Sequence, residues 1–287
     1  MDTPQTTESP DAARLVAKLR ELESCVVAFS GGVDSAVVAQ GAFLALGDRA
    51  VAATGIGPAV AESELEIARQ VAHQIGIPLV ELATAEIARA GYSANAPDRC
   101  YHCKTELYTV LAHYAAENNL QTIVNGTNID DLGDYRPGLQ AATEGNVRSP
   151  LVECGIDKAR VRQLAQLWNL PVWDKPAQPC LASRIAYGEQ VTPQRLERIE
   201  RAEALLHELG FRIVRVRHHP GDLARIEVPL DDLSRLLENQ VQSRLNSALT
   251  NLGFRYVTVD LAGFRSGNLN SALPLVEIAP PSQPPHG

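Results

Sequence analysis

The residues from Ser30 to Ser35 read Ser-Gly-Gly-Val-Asp-Ser and follow the apolar, β-branched run Cys25–Phe29. Such a run predicts a buried strand. Gly31 and Gly32 permit a tight turn and close backbone approach, and Ser35 opens an amphipathic stretch that reads as a helix. A strand–turn–helix of this kind aims free amide hydrogens at one point, at the positive end of a helix dipole, which suits phosphate or pyrophosphate. The Gly-Lys-Ser/Thr signature of the Walker loop is absent. Sulfur supplies a second chemistry. Cys100 and Cys103 fall three apart at the start of a predicted helix, on one face, where a helix N-terminus lowers thiol pKa. Cys180 stands in Pro179-Cys180-Leu181-Ala182-Ser183-Arg184, a proline-stiffened loop. Three cysteines suit a [4Fe–4S] cluster with one iron open, and with His102 as a fourth ligand they also suit zinc. Cys25 and Cys154 lack a partner motif and read as inert.

Charged residues complete the candidate chemistry. Asp130, Asp131 and Asp134, with Arg136, follow Gly126-Thr127-Asn128. One carboxylate there, Asp131 in this reading, joins Asp34 in holding Mg²⁺ on a triphosphate; capping and solvent-facing aspartates are the alternative. Arg184, four residues after Cys180, is spaced to neutralise a phosphate near the thiol or to form a structural salt bridge.

Alternating elements must position these groups. Helices are expected over 12–23, 35–46, 61–75 and 101–118, with a short one from Glu86, and strands over 25–29, 50–54, 78–82 and 122–125. Strands alternating with helices at this spacing predict an α/β fold, a doubly wound parallel sheet covered on both faces, with ligands at the carboxyl ends of its strands. Gly31-Gly32, Gly55-Gly57 and Gly126-Thr127-Asn128 fall at those ends and are expected to line one crevice. A proline-punctuated connection follows, and then helix–strand–strand–helix–strand over 194–209, 213–217, 224–228, 230–252 and 256–261, a smaller C-terminal α+β domain. The expected organisation is a tail over 1–10, a nucleotide domain over 11–175, a cysteine-bearing connection over 176–193, the α+β domain over 194–278 and a disordered proline-rich tail over 279–287.

Composition narrows the function classes. The chain has 287 residues, 45% hydrophobic and 21% charged, as ordinary globular proteins do. No run approaches the roughly 20 apolar residues of a membrane span. The polar, acidic start lacks the order of a signal peptide, so a cytoplasmic protein is expected. Five cysteines, two of them in Cys-x-x-Cys, then favour metal or catalytic use over disulfides. A net charge of −8 counts against a nucleic-acid partner. Arg212, Arg215, Arg217, His218, His219 and Arg225 nevertheless gather within one stretch, either a solvated face or a site for small anions.

The Ser30–Ser35 string resembles the PP-loop of ATP pyrophosphatases, enzymes that cleave ATP to AMP and pyrophosphate to activate a carboxylate or carbonyl. With Gly126–Gly138, Pro179–Arg184 and Val216–Val228 added, the chain is similar to the LarE family over nearly all of Ala12–Glu277. That resemblance implies the adenine nucleotide alpha hydrolase-like fold. It also implies an ATP-dependent sulfurtransferase that adenylylates the carboxylates of pyridinium-3,5-biscarboxylic acid mononucleotide and converts them to thiocarboxylates, for the nickel-pincer cofactor of lactate racemase. Ser30, Gly31, Gly32, Asp34, Ser35, Thr54, Gly126, Thr127 and Asn128 are then ATP-binding residues. Cys180, Arg184 and Asp34 are catalytic, and Arg217, Arg225 and Glu227 are candidates for a substrate or AMP phosphate. The family divides by sulfur source. One branch sacrifices the cysteine matching Cys180; the three-cysteine branch, which Cys100, Cys103 and Cys180 match, uses a [4Fe–4S] cluster. Family members also suggest a homo-oligomer. Alternatives are a cluster-dependent tRNA thiolase, an ammonia-using amide synthetase of the NAD or GMP synthetase kind, and a nucleotide sensor without turnover.

Overall fold

The computed structural model describes residues 9–133, 137–176 and 178–265. The chain divides into two compact units, residues 1–197 and 198–287. In the first, β1 (Cys25–Ala28), β2 (Ala50–Ile56), β3 (Leu79–Ala83) and β4 (Thr122–Val124) form a parallel sheet in the order β3-β2-β1-β4. Central β1 is apolar throughout because both of its faces are covered. Val27 joins a core built with α1 (Pro10–Arg20), α2 (Val33–Leu46), α3 (Glu62–Ile75), α7 (Pro150–Glu153) and α8 (Lys158–Leu167). Its neighbour Val26 joins the opposite core, with α5 (Arg99–Glu117) and α6 (Pro137–Glu144). Short α4 (Ala90–Ser93) precedes α5. The doubly wound parallel sheet is thus present. Among the described residues no helix is long and apolar enough to cross a membrane.

Helix α2 differs from the sequence expectation in start and in character. It begins at Val33, with Gly32 in the capping position, rather than at Ser35. It is apolar nearly all round rather than amphipathic, because it is packed between the sheet and outer helices α1 and α8. Gly41 admits α1, since a Cβ there would stand 2.9 Å from Leu19 Cδ1. The segments α6 and α7 were not anticipated. The expected helix over 230–252 is broken into a 3₁₀ turn (Leu230–Asp232), α10 (Leu233–Leu236) and α11 (Asn239–Asn251), because Leu237 and Glu238 leave helical continuity and Glu238 turns extended. The polar N-terminal tail through residue 8, Asp134, Arg136 and the proline-rich C-terminal tail lie outside the described residues.

The second unit holds the C-terminal part of α9 (Pro193–Glu208) and a mixed sheet of β5 (Arg215–His219), β6 (Leu223–Glu227) and β7 (Tyr256–Val259). The β5–β6 hairpin is antiparallel, turning through Gly221 and Asp222, both at positive φ. Strand β7 returns parallel to β6 after the helical crossover. Val216, Ala224 and Ile226 face a core with Ala202, Leu206, Leu236, Leu245 and Leu249. Period-2 alternation puts Arg217, Arg225 and Glu227 on the other face.

Candidate active site

The nucleotide loop is shaped by close backbone approach. Gly31 has φ +69°, and a Cβ there would lie 2.8 Å from the Cα of Ala68 in α3. A Cβ on Gly126, just past β4, would lie 2.7 Å from the Ser35 amide nitrogen, so that loop rests on the N-terminus of α2. The Ser35 hydroxyl folds back to donate to Gly32 O (3.0 Å) and accepts from the Ser30 amide (3.2 Å). The Thr54 hydroxyl ties β2 to β1 by donating to Phe29 O (2.9 Å). The Thr127 amide donates to Asn125 Oδ1 (3.0 Å). Gly55 and Gly57 turn instead toward Thr84, with Gly57 also against Glu86.

Asp34 is the hub of this site. Asn128, 2% exposed, donates from Nδ2 to Asp34 Oδ1 at 3.0 Å. Lys158 Nζ meets Asp34 Oδ2 at 2.5 Å. Asp131 is joined to the hub through Asn128, whose amide donates to Asp131 Oδ2 (3.0 Å). Asp130 accepts from the Lys158 amide at 3.1 Å. The structure therefore brings Ser30, Gly31, Gly32, Asp34, Ser35, Thr54, Gly126, Thr127, Asn128 and Asp131 to the carboxyl edge of the sheet. Sequence reasoning missed Lys158, which carries no motif of its own.

The cysteines reach the same unit from two distant segments. Cys100 and Cys103 occupy the first turns of α5; Cys180 precedes a 3₁₀ turn, Leu181–Arg184. Leu181 N donates to Ala59 O (2.9 Å), which fastens that turn beyond the carboxyl end of β2. Asn95 and Arg99, both buried and both missed in the sequence, fasten its far side. Asn95 donates from Nδ2 to Ala186 O (2.8 Å) and Glu189 O (3.0 Å), while Arg99 Nη1 donates to Asn95 Oδ1 (2.5 Å) and Ala182 O (2.8 Å). Their only hint was an Asn-Ala-Pro-Asp stretch ahead of a helix. Arg184, 1% exposed, donates to Pro179 O, to Cys180 O (3.1 Å) and to Ser183 Oγ (3.2 Å), so its guanidinium braces the cysteine loop.

Burial pushes the Cys103 thiol up to about 12, Cys180 and Cys100 add to the rise, and Lys104 opposes it. Among the described residues no group of three or more His, Cys, Asp and Glu side chains is disposed to hold a metal ion. His102 turns toward Asp98, with Nε2 3.4 Å from Oδ2. Cys25 and Cys154 are buried apart from the other three; burial takes the Cys25 thiol to about 12.

In the second unit Arg217 and Arg225 are register partners and share one fully buried carboxylate. Arg217 Nη2 meets Glu227 Oε2 at 2.9 Å, and Arg225 Nη2 meets Oε1 at 3.0 Å. Asp260 Oδ2 lies 3.5 Å from Arg225 Nε. His219 Nε2 is buried without a hydrogen-bond partner, and its pKa is lowered by burial and then by Arg225 and Arg217. Two guanidiniums beside an orphaned ring nitrogen make a face suited to an anion.

The NAD synthase family matches residues 11–129, the stretch from α1 through the loop after β4. A pyridinium-3,5-bisthiocarboxylic acid mononucleotide synthase of Lactiplantibacillus plantarum is 38% identical over 268 residues, 93% of this chain and 96% of that protein. The chain belongs to the LarE family. It is accordingly an ATP-dependent sulfurtransferase built on a PP-loop fold. A second relative, an uncharacterized protein of Synechocystis sp., is 47% identical over 88% of this chain and 94% of its own length. One subunit of the glutamine-hydrolyzing GMP synthase of Archaeoglobus fulgidus is 27% identical over 64% of each chain. LarE-family membership and the PP-loop make ATP, with Mg²⁺, the nucleotide this enzyme uses.

Proposed function

We propose that this LarE-family enzyme acts on pyridinium-3,5-biscarboxylic acid mononucleotide, converting its carboxylates to thiocarboxylates. The observation that carries the reading is the gathering of Cys100, Cys103 and Cys180 in the unit that also holds the Asp34 nucleotide site. A substrate carboxylate attacks the α-phosphorus of ATP, pyrophosphate leaves, and an acyl-adenylate forms. Sulfur then adds to the acyl carbon and AMP departs. Adenylylation is needed because a carboxylate is a poor electrophile.

In this reading Asp34 and Asp131 hold Mg²⁺ on the phosphates. The amides around Gly31, Gly32 and Ser35 face the pyrophosphate, and Thr54, Gly126, Thr127 and Asn128 flank the nucleotide. Arg217 and Arg225, oriented by Glu227, hold the substrate phosphate. Arg184 keeps Cys180 presented on a rigid turn. Cys100, Cys103 and Cys180 are the three soft donors that would hold an iron–sulfur cluster; they do not surround one metal position as they stand, so holding a cluster requires the start of α5 and the Cys180 loop to close on it. When bound, a [4Fe–4S] cluster on these thiols supplies an iron site for sulfide.

The exposure of Cys180 favours a second reading, donation of its own sulfur. Its thiolate would displace AMP to give a thioester. Loss of the Cα proton would then break the Cβ–S bond, leaving the thiocarboxylate and dehydroalanine at position 180. We further propose a cytoplasmic homo-oligomer.

The test combines anaerobic reconstitution with iron and sulfide, assay of pyrophosphate release, and intact mass after turnover. The reading expects release only when the acid is present, a broad visible absorption band, and an unchanged mass. Loss of one H₂S unit identifies the sacrificial route. A Cys180→Ala protein that forms an amide from ammonium identifies an amide synthetase, and release without the acid removes the reading altogether.

A further inference from the structure

Arg99 opens α5, where its cation faces the unfavourable, positive end of the helix dipole. It is 6% exposed, and a buried charge is costly unless an opposite charge answers it. Among the described residues no carboxylate does so. Its Nη1 donates to two neutral acceptors, Asn95 Oδ1 and Ala182 O, the latter two residues beyond Cys180. Burial works against the guanidinium charge, and Cys180 foremost, then Cys100, favour it. Tyr92, in α4, carries a second unanswered group. It is fully buried, and its hydroxyl has no hydrogen-bond partner. The Glu86 carboxylate lies within electrostatic range of that hydroxyl but does not accept from it. Burial keeps the phenol protonated, and Cys180, then Cys103, strengthen that hold. A hydroxyl that keeps its proton beside anionic sulfur is a donor to it. A cation without an anion and a donor without an acceptor thus share Cys180 as their foremost charged neighbour, and Cys180 is itself exposed. Phenylalanine would fill the Tyr92 site without an orphaned hydroxyl, so packing does not account for that residue.

We propose that Arg99 and Tyr92 are positioning residues for sulfur transfer, holding negatively charged sulfur at Cys180, Arg99 as its counter-cation and Tyr92 as its hydrogen-bond donor. The role rests on the reading of this chain as an enzyme that transfers sulfur from its cysteine segment. It applies to either sulfur source, because a cysteine sulfur is a thiolate both as a nucleophile and as a metal ligand. When Cys180 is itself the donor, its sulfur lone pair forms the bond to the acyl carbon. The bond from that carbon to the phosphate oxygen breaks, and its electron pair leaves with AMP. The sulfur enters as an anion, so no proton moves in this step. Fixing the anion on a rigid turn sets where that charge starts relative to the acyl carbon.

A stability cycle on the full, metal-free chain tests this with neither ATP nor acid present. At neutral pH Cys180→Asp places a permanent anion where the sulfur stands, and Cys180→Asn is its neutral isostere. The aspartate variant is expected to melt about 2–5 °C above the asparagine variant, as one partly screened charge-assisted contact in a unit of this size would do. The difference should vanish in an Arg99→Gln background, survive in part in Arg99→Lys, and shrink by about half in Tyr92→Phe. Tyr92→Phe alone should melt at or above wild type, because it removes an orphaned hydroxyl. Equal melting of the aspartate and asparagine variants, or a difference that Arg99→Gln leaves intact, overturns the role of the pair. Where Arg99→Gln does not fold, an undiminished difference in Tyr92→Phe overturns it. A chain that shows the difference but releases no pyrophosphate with the acid fails the sulfur-transfer reading instead, and the role of the pair in transfer with it.

Discussion

Asn95→Ala is expected to loosen the segment that carries Cys180, by an amount set by the hydrogen bonds that the amide makes. The amide donates to Ala186 O and Glu189 O, each bond contributing about 1 kcal/mol net, and shares a longer 3.3 Å contact with Ile185 O. Its Oδ1 accepts from the buried Arg99, a charged bond contributing about 2 kcal/mol. Asn95 also sits at φ +55°, where alanine is strained by about 1 kcal/mol more. The expected loss is about 3–5 kcal/mol, allowing for partial hydration of the vacated groups. For a unit of this size that lowers the melting temperature by roughly 10 °C. Differential scanning calorimetry measures the loss, and iodoacetamide labelling of Cys180 in the metal-free chain should quicken in parallel. Asn95→Gly isolates the hydrogen bonds, since glycine removes them without the backbone strain, and it should recover about 1 kcal/mol relative to alanine. A melting temperature within about 2 °C of wild type for Asn95→Ala would refute the claim that this clamp holds the cysteine loop.

Further outcomes follow from other contacts. Gly31→Ala should abolish nucleotide binding measured by calorimetry, because the new methyl meets the α3 backbone at 2.8 Å in a left-handed conformation. Glu227→Ala should destabilise the second unit by about 3–5 kcal/mol in urea unfolding, because it leaves the Arg217 and Arg225 guanidiniums without their shared acceptor. Stability should fall as pH rises above 9, since the folded state keeps Cys25 protonated to about 12 while the unfolded thiol ionises from its ordinary value of 9.0. Each pH unit across that window removes up to about 1.4 kcal/mol per such thiol, and Cys25→Ala should flatten the slope seen in melting temperature against pH.

What the amino-acid order determined alone is what local geometry decides. The apolar run at β1 and the paired glycines of Ser30–Ser35 make a strand–turn–helix, and strands alternating with helices require a covered parallel sheet. Even there, packing corrected a local expectation. Ser35 could cap a helix by type, but the burial of α2 on all sides drew the helix start back to Val33, and the hydroxyl turned inward to Gly32. Long-range pairing was not legible, because nothing in a residue's type states which distant segment will face it. Arg217, Arg225 and Glu227 came to one sheet face through the register of β5 and β6. Lys158 looked like any lysine opening a helix until the order of the strands brought its helix to Asp34, 124 residues earlier in the chain. Cys180 comes within electrostatic range of Cys103 on a segment whose following backbone is bound by Asn95 and Arg99. Local sterics set the loop; the path of the chain set what meets it.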